Sequence, residues 1–203
     1  MSSRIQIRRL VFIALFAALF ILLSAIKLNV GITPVPFTLQ TLGVVLAGVF
    51  LGGRDGFLSI ALVLALTATG LPLLHGQGGW SLIVGPTGGF LWIFPFCALL
   101  TGYVSVRLLR SRLAENRVLS FIVLFIVMEL FGSFLAYVGG IPWLMHVTGL
   151  SFAKAMTAGC YPYLPGDAVK NVVAAAAAVA LRNYLPSLHR DSAPYNGAAG
   201  SSY

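Results

Sequence analysis

The chain has 203 residues, 59% of them hydrophobic and only 9% charged, with a mean hydropathy of +0.95 and a net charge of +8. A soluble domain carries about a quarter charged residues, so this chain lacks the polar side chains to cover a water-facing surface. The composition excludes a soluble α/β enzyme and a disordered chain, and it predicts an all-α integral membrane protein with lipid as its solvent.

The first apolar run, Leu10 to Ile26, outlasts the core of a signal peptide, about 7–15 residues, and no Ala-x-Ala-like site follows it. It reads as a membrane span. A crossing helix takes about 20 mostly apolar residues, and the chain offers six candidates, at about 10–27, 38–53, 56–72, 86–108, 118–141 and 166–185. The second and third are short and separated only by Gly52-Gly53-Arg54-Asp55, a tight hairpin with a charged tip. Residues 1–186 therefore read as one domain, a six-transmembrane-helix bundle. The small, polar stretch 187–203 reads as a disordered tail.

Charge placement gives the orientation. With both termini cytoplasmic, all ten arginines, from Arg4 to Arg190, fall on the inner side, and the three lysines, Lys27, Lys154 and Lys170, on the outer side. That is the bias of the positive-inside rule, so the basic balance is topological and calls for no nucleic acid. The outer connections are apolar and aromatic: 28–37 carries Pro34, Pro36 and Phe37, 73–85 carries His75 and Trp80, and 142–165 carries Trp143, Tyr161 and Tyr163. Such aromatics suit either an interfacial belt or loops folded over a partly apolar ligand.

Three ionisable groups near membrane depth stand out. Glu129 falls near the middle of the fifth span, where a charge costs about 2.5–3.5 kcal/mol; it reads either as a ligand or coupling residue or as a hydrogen-bonding link to a neighbouring helix. Asp167 and Lys170 open the sixth span three residues apart, on one helix face. Asp167 suits a helix start. Lys170 opposes the helix dipole there and requires an anionic partner, either Asp167 or a ligand carboxylate. Ala14 with Ala18 and Gly48 with Gly52 are small-xxx-small pairs that permit close helix approach, and Ala174 to Ala178 give the last span a smooth face. Gly85-Pro86-Thr87-Gly88-Gly89 lacks the Gly-Lys-Ser/Thr of a phosphate loop and reads as backbone that a ligand or neighbour can approach. Cys97 and Cys160 show no metal-ligand spacing and read as packing residues, with neither metal nor cofactor expected. No ATP-binding or hydrolase motif occurs, and a second intramembrane aspartate for an aspartyl protease is missing, so the chain does not read as an enzyme.

Three segments carry a family resemblance over about residues 8–185: Pro34-Val-Pro36-Phe-Thr-Leu-Gln-Thr-Leu-Gly43, Gly85-Pro86-Thr87-Gly88-Gly89-Phe90, and Leu164-Pro165-Gly166-Asp167 followed by Lys170. With them the chain resembles the BioY family, the biotin-specific substrate-binding components of energy-coupling factor transporters. The resemblance implies high-affinity biotin capture near the outer face of a prokaryotic cell membrane. It also implies a transmembrane coupling protein and two cytoplasmic ATPase subunits as partners, with Ala14 and Ala18 as the docking stripe. In the family's mechanism the loaded component topples within the membrane to release its vitamin inward. The chemistry of biotin fits these residues. Asp167 can accept from the ureido N–H groups, and Lys170 can donate to the ureido carbonyl or pair with the carboxylate tail. The loop bearing Pro34, Pro36 and Phe37 would cover the bicycle. Gln40 and Thr87 are further polar contacts, and Trp80 and Tyr163 can pack on the apolar body. The alternatives are capture of another small vitamin by the same bundle, an intramembrane enzyme, or a membrane subunit without a ligand.

Overall fold

The structure, a computed structural model, describes residues 2–28, 35 and 37–185, without the side chains of 2–5, 27, 28 and 113. Pro34, Pro36 and the 187–203 tail lie outside the described residues.

The fold is helical, as its composition requires. Helix α1 (Ser2–Ala25) ends at a short antiparallel pairing of β1 (Lys27–Leu28) with β2 (Phe37–Thr38), the only sheet among the described residues. Then come α2 (Gln40–Leu51), α3 (Gly53–Ala68), the single turn α4 (Trp80–Ile83) and α5 (Gly88–Leu109). A rod follows, made of α6 (Arg117–Met128), a π-helical segment Glu129–Phe134 and α7 (Leu135–Thr148). The chain closes with α8 (Phe152–Gly159) and α9 (Leu164–Ala180).

Among the described residues, three stretches are long and apolar enough to cross a membrane: Gln6–Ala25, Gly88–Leu109 and the 32-residue rod Arg117–Thr148. The second, third and sixth sequence spans are shorter as helices, at 12, 16 and 17 residues. The cause between the second and third is Gly52, whose φ of 81° breaks the helix there, a conformation that glycine adopts without steric cost. The fifth span is longer than the sequence suggests, because the π segment carries the helix past 141 without a break.

Contacts fix how the helices run. At one end Arg9 of α1 holds Asp55 of α3 in a forked pair, Nη2 to Oδ1 at 2.7 Å and Nε to both oxygens at 3.0 Å. At this end too, Arg182 donates to the Ala114 carbonyl. At the other end Ser24 donates to Leu73 O at 3.2 Å and Trp143 to Gly85 O at 2.9 Å. The arginine-bearing turns thus gather at one end, and the aromatic connections at the other.

Two apolar clusters fill the interior. One, nearer the aromatic end, joins Phe20, Phe90, Phe94, Ile141 and Leu144. The second joins Val45, Val49, Leu124 and Met128 to Ala174, Ala175 and Ala178 of α9, so the alanine run does present a smooth packing face. Cys97 and Cys160 are free thiols in the first cluster. The close-approach reading of Gly48 also holds: a Cβ there would lie 2.6 Å from Ala98 O and 3.1 Å from Gly102 N. At Gly102 a Cβ would meet Gly53 N at 2.6 Å and Gly52 C at 2.8 Å. Backbones of α2, α3 and α5 therefore touch directly. Gly52 serves as the turn rather than as the second member of a helix-contact pair.

Candidate functional site

At the aromatic end, a cavity opens between α2, α5, the π segment with α7, and the start of α9. Proline at the second helical position suits α9's first turn, and the following Gly166 lies against the Phe37 ring with no room for a Cβ. Asp167 and Lys170 then project together from the first two turns. They are 3% and 7% exposed, and Lys170 Nζ stands 2.7 Å from Asp167 Oδ1.

Neighbouring elements complete the polar cluster. Lys170 Nζ also donates to Thr41 Oγ1 at 2.8 Å and to the Thr38 carbonyl at 3.0 Å, and it stands 4.9 Å from the Phe37 ring centroid. An ammonium has three donors, and all three are engaged. Asp167 accepts from Thr41 on Oδ1 at 3.2 Å and from the Tyr137 hydroxyl on Oδ2. The cluster carries no net charge. Removing two charges from water costs several kcal/mol per ion before mutual attraction is counted, and these hydrogen bonds offset that cost.

One polar atom in the wall is left over. Gln40 is 5% exposed, and its Nε2 is buried without a hydrogen-bond partner, while its Oε1 accepts from Thr38 at 3.3 Å. A buried orphan donor costs about 1–3 kcal/mol. Opposite the polar cluster the wall is apolar, from Phe90, Leu91, Phe94 and Ala136. The cavity is narrow, about 60 Å³, so seating a bicyclic group requires its walls to part. Phe37 and Tyr163 stack behind the polar cluster at 5.8 Å and 14°, and the Tyr163 hydroxyl donates to Val35 O.

Of the residues singled out in the sequence, Asp167, Lys170, Gln40, Thr87 and Tyr163 line this cavity, and Phe37 backs it through its contacts with Lys170 and Tyr163. Trp80 does not join them. It opens the short α4, is 60% exposed and meets Trp92 edge-on at 6.4 Å, because the turn at Gly79, with φ of 91°, directs the chain outward. Glu129 also stands outside the lining. It begins the π segment beside Asn171, with Oε1 buried and unpartnered. Asn171 in turn donates to Ser133, which does line the cavity, at 2.9 Å. Ala14 and Ala18 are exposed on α1, away from the cavity. Thr41 and Tyr137, the two lining residues that hydrogen-bond Asp167, are among those that sequence reasoning passed over. Thr41 follows Gln40 within the Pro34–Gly43 motif, so position alone pointed to it. Tyr137 lies in a long apolar run, and its hydroxyl was the only signal.

Comparison with known proteins agrees with this architecture. The family described as the BioY family matches residues 1–187. The biotin transporter BioY of Rhizobium etli is 41% identical over 170 residues, covering 83% of this chain and 89% of that protein. Its counterpart from Rhodobacter capsulatus is 41% identical over 192 residues, covering 89% and 96%, and that of Thermotoga maritima is 34% identical, covering 86% and 96%. Among solved structures, the crystal structure of the S-component for biotin from an ECF-type ABC transporter superposes with a TM-score of 0.80 at 27% identity, covering 90% of this chain and 95% of that one.

Proposed function

Because the chain belongs to the BioY family, we propose that it is the membrane subunit that captures biotin for an energy-coupling factor importer. It is a transport protein rather than an enzyme.

The observation that carries the site assignment is the buried, self-neutralised Asp167–Lys170 pair beside the orphan donor of Gln40 in a cavity with one apolar wall. Biotin offers two ureido N–H donors, one strong carbonyl acceptor and an apolar bicycle. Asp167 accepts from the ureido N–H groups, Gln40 Nε2 donates to the ureido carbonyl, and Lys170 donates to it in exchange for one of its present acceptors. Phe90, Leu91 and Phe94 cover the bicycle. Tyr163 and Phe37 form the wall that moves aside to admit it, and Thr87 sits at the far rim. Glu129 acts through Asn171 and Ser133 to position the lining of the cavity. A net-neutral cluster offers little to a free carboxylate, which favours the ureido end over the tail at Lys170.

The membrane arrangement proposed has six spans, α1, α2, α3, α5, the α6–α7 rod and α9, with both termini cytoplasmic and the cavity facing outward. The gathering of arginines at the opposite end supports it. The partners are a transmembrane coupling protein and two cytoplasmic ATPase subunits, with the exposed Ala14 and Ala18 as the docking stripe. Ala14→Trp combined with Ala18→Trp is expected to block that assembly while biotin still binds.

Isothermal titration of the purified chain with biotin tests the reading. Tight binding is expected, with greatly weakened binding in Asp167→Asn and in Lys170→Ala. Stabilisation by thiamine or riboflavin, but not by biotin, in a thermal-shift panel would replace biotin with another vitamin.

A further inference from the structure

A second space adjoins the cavity. Between the 71–79 connection and the start of α5 lies a wider chamber of about 460 Å³, open on one side, with Gln77, Ser81 and Pro86 exposed along it. His75 and Thr87 border both spaces. His75 is the one non-glycine residue with positive φ among the described residues, at 56°, a conformation that costs free energy and persists only where its surroundings hold it. What holds it includes its ring: Nδ1 lies 2.7 Å from the Ser24 carbonyl. A carbonyl only accepts, so Nδ1 carries the hydrogen, and the ring is pinned at the border between the two spaces.

The chamber mixes polar groups with the apolar Leu82 and Pro86 and carries no carboxylate, ammonium or guanidinium among its described lining residues. Gln77, Ser81 and Thr87 contribute side chains, and Gly78 and Gly85 contribute backbone. No Asp, Glu, Lys or Arg is among its described lining residues, and the sequence has none between residues 57 and 106. Proteins that read a carboxylate as an anion meet it with Arg or Lys in charge-assisted hydrogen bonds. Here the available partners are hydroxyls, a side-chain amide, backbone groups and the His75 ring at the border, which hydrogen-bond an acid and an amide alike.

We propose that this chamber receives the carboxyl-bearing arm of biotin and reads it without a charged side chain. The protein then captures amide conjugates of biotin, such as biotin joined to the ε-amine of lysine, alongside the free acid. The inference rests on the biotin reading above, and on one geometric point. With the ureido head at Asp167 and Lys170, the cavity continues past His75 and Thr87, which border both spaces, into this wider one.

Competition titrations on the full chain in lipid nanodiscs test this, with biotin, biotinamide and the lysine conjugate as probes. Both neutral derivatives are expected within about tenfold of biotin. A site that depends on a particular polar group rejects analogues lacking it by about 10⁴–10⁵-fold, so losses beyond about a hundredfold, with biotin itself still tight, would overturn the proposal and leave the biotin reading intact. If biotin itself does not bind, the reading beneath it fails instead. Two variants sharpen the outcome. Ser81→Trp, which fills the chamber, should lower the affinity of the lysine conjugate relative to biotin at least tenfold. An unchanged ratio means that the arm lies elsewhere. Lys27→Ala should leave biotin affinity unaltered, and a tenfold loss there means that a charge does read the arm.

Discussion

The bundle has an ion pair at each end, and the two are built on different physics. Arg9 and Asp55 join helices 46 residues apart through a guanidinium fork, with Asp55 fully buried and the Arg9 side chain 48% exposed. That pair fastens α1 to the start of α3, and water still reaches one partner. Asp167 and Lys170 share a single helix, so their bond joins no two elements, and both side chains are under a tenth exposed. An ion pair within one helix that bears the full desolvation cost has a poor rationale in folding alone. It also recruits Thr41, Thr38 and Tyr137 from other elements and borders the cavity. One pair is a clamp, and the other is a prepared polar surface.

Substitutions break or sharpen that contrast. The largest effect is expected for Asp167→Ala, which strands a buried ammonium at a cost of about 3–5 kcal/mol and abolishes biotin binding; thermal melting and titration read the two effects separately. Asp167→Leu with Lys170→Met should recover most of the melting temperature without recovering binding, and a double variant that still captures biotin would make this pair a clamp as well. Next comes Tyr137→Phe. Loss of a hydroxyl bonded to a buried carboxylate costs about 1.5–3 kcal/mol, expected as roughly tenfold or more weaker biotin binding in titration. Asp55→Ala should cost about 1–2 kcal/mol in melting, since the half-exposed Arg9 can rehydrate, and should shift biotin affinity by less than about threefold. A large binding loss there would erase the distinction between the two ends. Trp80→Ala should alter biotin affinity least, by under about twofold, because its ring meets Trp92 and solvent rather than the cavity.

Much of this was legible in the chain. Apolar runs located the helices, because lipid leaves a spanning backbone few other ways to satisfy its hydrogen bonds. The three-residue spacing of Asp167 and Lys170 placed both on one helix face. Other features were not local. Tyr137 reaches Asp167 only because the rod crosses α9 at that height. The π segment Glu129–Phe134 changes the rotational phase of the helix, so counting from Glu129 by 3.6 residues does not find the groups that face the cavity. Trp80 looked equivalent to Tyr163 as a loop aromatic. One glycine turn sent it outward, while Tyr163 was drawn in by its bond to Val35.

The glycine contacts among α2, α3 and α5 have a mechanical consequence. Where main chain rests on main chain, no side chain can change rotamer to absorb a displacement, and the joint has almost no compliance. The charged end of the bundle is therefore its stiff end, and any widening that admits a vitamin must be taken up by the aromatic end. A pull applied through α1 by a partner in the bilayer would reach the α2–α3–α5 block through Arg9 and turn it as a single solid piece, carrying its cargo without first loosening the grip on it.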